Sequence, residues 1–145
     1  MKTWLYQLNS KLWATNLFRC AIWEGRQWQW NRRNSRPANA IPDPGDVLVF
    51  FYTQASDEPG IYGWAIIDRC EKFGDDTMLN FTPTAPTNHL KVDPWWDDEC
   101  KKITTEIRAD QANFATLFEV PETLVPKIRR GVKRWLYHAD EAEAG

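Results

Sequence analysis

The chain has 145 residues and a mass of 17.0 kDa, which is the size of one ordinary domain. Hydrophobic residues make up 43% and charged residues 26%, a balance that excludes a disordered chain. The net charge of −2 excludes a general attraction to nucleic acid, so only a local basic patch could provide one. Nine tryptophans are more than a core of this size needs, and this surplus indicates that some of them contact a ligand.

The apolar runs and the cysteines exclude further classes of protein. The longest apolar runs are too short to cross a bilayer. The first residues show no apolar stretch with a small-residue cleavage site, so no secretory signal is predicted. The three cysteines are odd in number and widely spaced, which predicts free thiols in the cytoplasm rather than a disulfide framework or a zinc site: Cys20, Cys70 and Cys100.

The first elements in chain order are a strand, a helix, a loop and a second strand. Thr3–Leu8 alternates apolar and polar residues and predicts a strand. Ser10 is a suitable N-cap for a helix that runs to about Trp23. Residues 25–45 are rich in Arg, Asn, Pro and Gly and predict a loop. Val47–Thr53 is β-branched and aromatic on both faces, which predicts a strand that is buried on both sides.

The second half of the chain begins with a predicted hairpin. Ile61–Cys70 forms its second strand, and Gly63 predicts a bulge within that strand. A short strand is expected near Thr77–Phe81. Lys101–Arg108 alternates again and is interpreted as another strand. The last element is a helix with one apolar stripe, formed by Leu124, Ile128, Val132 and Leu136.

This order of elements predicts the fold class. Several strands with turn signals and few crossover helices favour an α+β fold, a small mixed β-barrel flanked by helices. No repeat or linker divides the chain, so residues 1–138 are predicted to form a single domain. Residues 139–145 are an acidic tail that we expect to fray.

No recognised catalytic or metal-binding motif occurs in the sequence. The two histidines, His89 and His138, stand in no motif that would make either a general base. Four carboxylates flank a Trp-Trp pair but lack the spacing of a calcium loop, so a solvated loop is the favoured interpretation: Asp93, Asp97, Asp98 and Glu99. We therefore expect no enzyme activity, no cofactor and no metal.

One segment combines aromatic and basic residues in a way that suits nucleic acid. Trp28 and Trp30 alternate with polar residues inside an arginine-rich stretch, where the cations are Arg26, Arg32, Arg33 and Arg36. Indole rings stack on bases, and guanidinium groups contact phosphates. The alternative is a rim of core aromatics beside a solvated loop.

Five blocks of sequence resemble the EVE domain family of the PUA-like superfamily, which also holds the YTH readers of methylated adenine. In order they are WLYQLN at Trp4–Asn9, WQWNR at Trp28–Arg32, GDVLVFFY at Gly45–Tyr52, EPGIYGWAII at Glu58–Ile67, and the Trp pair at 95–96. Arg108 and Asn113-Phe114 also match the C-terminal half of the family. Two positions depart from the usual family residues, Trp30 for a smaller aliphatic and Ala65 for glycine.

The resemblance implies a PUA-like barrel that reads a modified base without catalysis. A flipped nucleotide would lie in an aromatic pocket whose residues are Asn9, Trp28, Trp30, Tyr52, Thr53, Gln54 and Trp95 or Trp96. Flanking phosphates would be bound by Arg26, Arg32, Arg33 and Arg36. The implied partner is DNA or RNA that carries a modified base, and a restriction or RNA-modification protein would act downstream.

Two other functions stay open at this point. The related ASCH domains include small amidohydrolases, but their GxKxxExR motif does not occur here. A protein-interaction module would instead use the exposed tryptophans and the basic run at residues 127–134.

Overall fold

The computed structural model describes residues 1–8, 27–31, 34–37, 39–53, 59–74, 76–83, 94–108 and 116–133. The strands are β1 (Thr3–Leu8), β2 (Gln27–Asn31), β3 (Ser35–Arg36), β4 (Val47–Tyr52), β5 (Gly60–Phe73), β6 (Asp76–Pro83) and β7 (Leu117–Glu119). The helices in these ranges are α1 (Asp98–Arg108) and α2 (residues 125–133). The helix predicted from Ser10 to Trp23 and the acidic tail lie outside the described residues.

The strands form one mixed sheet in the order β2-β6-β5-β4-β1-β7-β3. β1 and β4 are parallel neighbours, and so are β3 and β7, whereas the other neighbouring pairs are antiparallel. The sheet curls strongly into a half-barrel, which together with the two helices gives the predicted α+β class. Neither described helix is long and apolar enough to cross a bilayer.

The strong curl of the sheet has its cause in β5. The first half of this strand pairs with β4 and its second half pairs with β6, so one long strand forms hydrogen bonds with two neighbouring strands along different parts of its length. The pairing shifts where Gly63 stands opposite Phe50 and Ile61 opposite Phe51, which leaves Tyr62 as an extra residue. A second shift occurs between Ile67 and Arg69. Because each bulge bends its strand and increases the twist, β5 turns the sheet towards closure, and the bulge predicted from Gly63 is confirmed.

Both faces of the sheet are buried against apolar side chains. Leu48, Phe50 and Tyr52 point into a cluster made only of strand residues, which is the interior of the half-barrel. Val47, Val49 and Phe51 alternate with them and face α1 and α2. They belong to the outer cluster, which consists of the buried apolar residues between the sheet and these two helices. The prediction of a β4 strand buried on both sides is confirmed, since all six of its residues are buried.

Several sequence predictions agree with the structure and others do not. The strands at Thr3–Leu8 and near Thr77–Phe81 and the hairpin of β4 with β5 are confirmed, as are the buried stripe residues Leu124, Ile128 and Val132. The interpretation of Lys101–Arg108 as a strand is wrong, because these residues form the C-terminal part of α1. Residues 25–45 are not all loop, because β2 and β3 lie within them, and β7 was not predicted.

The acidic residues before and in α1 have a structural role. The Asp97 carboxylate accepts a hydrogen bond of 2.8 Å from the backbone N–H of Cys100, which makes Asp97 the N-cap of the helix. Asp98 and Glu99 occupy the first turn, where negative charge is favourable. The prediction of a solvated loop is therefore corrected to a capped helix N-terminus. Within the described residues, no three potential ligands are placed to hold a metal ion.

The two edges of the sheet are consecutive in the chain. β2 ends at Asn31 and β3 begins at Ser35, although these strands lie at opposite ends of the strand order. Four residue steps span at most about 14 Å. The curl therefore brings the end of β2 and the start of β3 close together.

Candidate functional site

The carboxyl ends of β1 and β4 lie side by side at one end of the barrel. Their parallel pairing places Leu8 opposite Tyr52, and the N–H of Thr53 donates to the Leu8 carbonyl at 3.0 Å. Asn9 follows Leu8 directly, and Gln54 follows the half-buried Thr53. Asn9 and Gln54 themselves lie outside the described residues. Leu8 and Thr53, the described residues that precede Asn9 and Gln54, therefore lie at the same end of the sheet.

The arginine-rich segment reaches this same end through two backbone hydrogen bonds. The N–H of Thr116 donates to the Asn34 carbonyl at 2.8 Å, and the N–H of Gln7 donates to the Thr116 carbonyl at 2.7 Å. Asn34 is thus about two strand spacings, or roughly 10 Å, from Gln7 near the end of β1. Asn34 therefore lies at this end of the sheet.

The structure describes one of the four predicted phosphate-binding arginines, Arg36. Arg36 lies on β3, is half-buried, and donates from Nη1 to the Ser35 carbonyl at 2.7 Å. Arg26, Arg32 and Arg33 fall outside the described residues.

Trp28 and Trp30 occupy an edge strand rather than a loop. Among the described strands, β2 has β6 as its one neighbour, with Trp28 opposite Leu79 and Trp30 opposite Thr77. An edge strand keeps a row of backbone N–H and carbonyl groups available for a partner. The segment therefore offers backbone hydrogen bonding as well as its tryptophans.

Tyr52 and Trp95, two of the predicted pocket residues, are core residues in this structure. Tyr52 has no exposed surface, and its ring packs edge-on against Tyr62 at 5.2 Å between centroids. Trp95 is 6% exposed and pairs through its backbone with Ile61. Its indole Nε1 donates to the Asp97 carboxylate at 2.9 Å. Neither ring is open to a base here.

Trp96 is the accessible member of the Trp pair. Its side chain is half-buried and packs against the outer cluster, with its ring 6.0 Å from the ring of Phe51. The ammonium group of Lys101 lies 5.4 Å from the Trp96 ring, within the range of a cation–π contact. The sequence left open whether Trp95 or Trp96 lines the pocket. Burial favours Trp96, which is the more accessible of the two.

Arg108 is a further cationic residue at this end of the barrel, and the sequence did not assign it to the site. Its guanidinium lies 5.0 Å from the Phe51 ring centroid, on the ring that also contacts Trp96. Nη1 donates to the Gln7 side chain at 3.1 Å, and Nε donates to the Thr104 carbonyl at 3.2 Å. A prediction of residues 98–108 as a helix would have placed Arg108 one turn after Thr104, beside the outer cluster.

The environment of Arg108 suits an anion. Burial lowers the pKa of its guanidinium from the ordinary value, because removal of water disfavours the charged form. Its partners among the described residues, Gln7, Thr104 and Phe51, are all neutral. An incoming phosphate would supply a countercharge that none of these three partners carries.

Among the predicted pocket aromatics whose side chains the structure describes, Trp96 is the accessible one, and it packs on Phe51 of the outer cluster. The structure brings together at one end the carboxyl ends of β1 and β4, Asn34, and the group formed by Trp96, Lys101 and Arg108.

No protein-family model and no curated protein matches this chain.

Proposed function

We propose that the protein is a non-catalytic reader of nucleic acid, which binds one flipped, modified base in an aromatic pocket with an arginine-rich rim. The observation that carries the proposal is the pair of hydrogen bonds that joins Asn34 through Thr116 to Gln7. It links the Trp- and Arg-bearing segment to the strand ends that precede Asn9 and Gln54. A flipped base and its phosphates need aromatic, amide and cationic groups, and the contacts of Phe51 with Trp96 and Arg108 and of Arg108 with Gln7 support the proposal with one group of each kind.

The division of work among these residues follows from their chemistry. Trp28, Trp30 and Trp96 are the candidates for stacking, which is worth about 1–3 kcal/mol per base. Asn9, Thr53 and Gln54 offer donors and acceptors to the edge of the base. Arg32, Arg33 and Arg36, together with Arg108 and Lys101, would contact phosphates and make the affinity depend on salt.

The protein would prefer a modified base because the added methyl group makes a small apolar contact. A methyl group that fills an apolar niche adds about 0.8 kcal/mol, or roughly fourfold in affinity. Stacking and phosphate contacts thus provide most of the affinity, and the methyl group provides discrimination.

The test is the binding of short single-stranded DNA and RNA probes that differ by one methylated base, measured by fluorescence anisotropy at two salt concentrations. We expect a preference for one modified probe and weaker binding at the higher salt concentration. The double variant Trp28→Ala/Trp96→Ala should lose that preference while its circular dichroism spectrum is unchanged. Equal affinity of the unaltered protein for all modified and unmodified probes would refute the proposal.

A matched charge control is available on α2. Arg130 is exposed there and is remote in sequence from every residue assigned to the interface. Arg130→Gln should bind every probe as the unaltered protein does, whereas Arg36→Gln should bind all of them more weakly.

A further inference from the structure

A cavity of about 440 Å³ lies on the outer face of the sheet, away from the proposed interface. Its walls come from Met1, β4, β5 and α2, and the apolar residues that form them are Met1, Val47, Val49, Trp64, Ile66 and Val132. None of these residues belongs to the proposed nucleic-acid site. A volume of this size, with mostly apolar walls, is typical of a site for a small organic ligand.

The cavity exists because the helices cover the sheet unevenly. Trp95 and Ile61 pack in the outer cluster near the carboxyl end of β4. Val47 pairs with Ile66 at the opposite end of β4, and Ile66 is 37% exposed. Ile66 is one of the two large hydrophobic side chains that are exposed in the described part of the chain. The space beside it is bounded by α2 and is not filled.

Two cations of α2 line the same cavity. Arg129 and Lys133 stand four residues apart and therefore lie on one face of the helix. The described residues that line the space include no acidic side chain. The cavity thus combines an apolar body with a positively charged side.

Arg129 is short of hydrogen-bond acceptors. Its Nε is buried and has no hydrogen-bond partner among the described residues. Its Nη2 lies 3.8 Å from the sulfur of Met1, and a thioether is a weak acceptor. A buried donor without a partner is unfavourable. Because Arg129 also lines the cavity, a ligand oxygen that reaches its guanidinium would form a charge-assisted hydrogen bond.

We propose that this cavity binds a small amphipathic carboxylate, with its apolar body against Val49, Trp64 and Ile66 and its carboxylate on Arg129. Lys133 adds positive charge on the same side. A carboxylate matches the planar fork of a guanidinium. It also carries less charge than a phosphate, so it costs less to bring against apolar walls.

Three ligands of equal chain length test the proposal by isothermal titration calorimetry: octanoate, 1-octanol and octylammonium. We expect octanoate to bind about ten- to a hundredfold more tightly than 1-octanol, since the alcohol keeps the apolar contact and loses the charge-assisted bonds. Octylammonium should not bind. Binding of octanoate should also change the intrinsic fluorescence, because Trp64 lines the cavity.

Adjacent arginines provide the matched variants. Arg129→Gln should reduce the octanoate affinity to that of 1-octanol, and Arg130→Gln, at an exposed position, should leave it unchanged. Ile66→Trp fills the cavity from its exposed rim and should abolish the binding of both ligands without cutting into the core. Equal affinity for octanoate and 1-octanol, no binding of octanoate at millimolar concentration, or an Arg129→Gln variant that binds octanoate normally would each overturn the proposal.

Discussion

The six-membered ring of Trp95 lies directly over the Cα of Gly131, in the space that a side chain at position 131 would occupy. Trp95 is held from three directions, by backbone pairing with Ile61, by its hydrogen bond to Asp97, and by this contact with α2. Asp97 in turn caps α1. One indole therefore fixes both helices to the outer face of the sheet, which is why it is not available as a pocket residue.

Gly131→Ala is expected to destabilise the protein by about 2–3 kcal/mol. In an ordinary helix the same change stabilises by about 1 kcal/mol, because alanine favours the helix over glycine. Here the new Cβ overlaps a ring that cannot move away, so overpacking reverses the sign. Urea denaturation measures the difference in the free energy of unfolding.

The control for this prediction is a double-mutant cycle with Trp95→Leu. If the overlap is the cause, Gly131→Ala should cost much less in the Trp95→Leu background. A Gly131→Ala variant that is as stable as the unaltered protein, or additive costs in the cycle, would contradict the prediction.

The Asp46 carboxylate is expected to be essential for stability. It is 3% exposed and accepts hydrogen bonds from the backbone N–H of Lys2 at 2.9 Å, from Trp4 Nε1 at 3.0 Å and from the N–H of Asp43 at 2.9 Å. Asp46→Asn replaces one acceptor oxygen with a donor, which leaves a buried donor unpaired. We expect a loss of about 2 kcal/mol in the free energy of unfolding, measured by urea denaturation.

Asp43→Asn is the matched control for Asp46→Asn. Asp43 is exposed, and its backbone N–H rather than its carboxylate makes the bond to Asp46. This variant should stay within about 0.5 kcal/mol of the unaltered protein. If both substitutions lower the free energy of unfolding equally, the buried Asp46 carboxylate is not the cause of the loss.

Arg108→Gln is expected to weaken the binding of single-stranded probes, if the proposed function is correct. Loss of one phosphate contact should reduce the slope of log affinity against log salt by about 0.7. Fluorescence anisotropy over a range of salt concentrations measures the slope, and Arg130→Gln is the control. An Arg108→Gln variant with an unchanged slope would remove Arg108 from the interface without refuting the interface itself.

Alkaline pH should reduce stability partly through Cys70. Burial, and then the negative charges of Asp43 and Asp46, raise the pKa of the Cys70 thiol from 9.0 to about 11. The unfolded chain therefore loses this proton at lower pH than the folded protein does, so stability falls as the pH rises from about 9 to about 11. Cys70→Ala should show a smaller fall than the unaltered protein over this window. Urea denaturation at several pH values measures the free energy of unfolding of both proteins. If the two free energies fall in parallel with pH, the Cys70 thiol does not contribute to the loss of stability.

The strands were predictable where the pattern is local. Thr3–Leu8 alternates along its whole length, and Val47–Tyr52 is apolar on both faces, so each carries its own signal. α1 was missed because Ile103 and Ile107 stand four residues apart, a spacing that fits both a strand face and a helix face. The inclusion of Cys100 and Thr104 in the buried set distinguishes the two, and this is visible only once the helix is packed.

The site was predictable in composition but not in arrangement. The Trp and Arg residues of the segment at 28–36 stand out in the sequence, yet β2 was hidden by an Arg- and Asn-rich composition that is typical of loops. The link from Asn34 through Thr116 to Gln7 joins residues far apart in the chain, and no local pattern reports it. The same holds for the contact of Arg108 with Phe51, which depends on how α1 packs.

The meeting of the two sheet edges has a consequence for biosynthesis. β2 needs β6 as its partner, and β3 needs β7, which begins only at Leu117. β2 therefore cannot pair before residue 76 has been synthesised, nor β3 before residue 117. Such non-local pairing slows folding. A ligand that engages this region would then report on, and stabilise, complete folding.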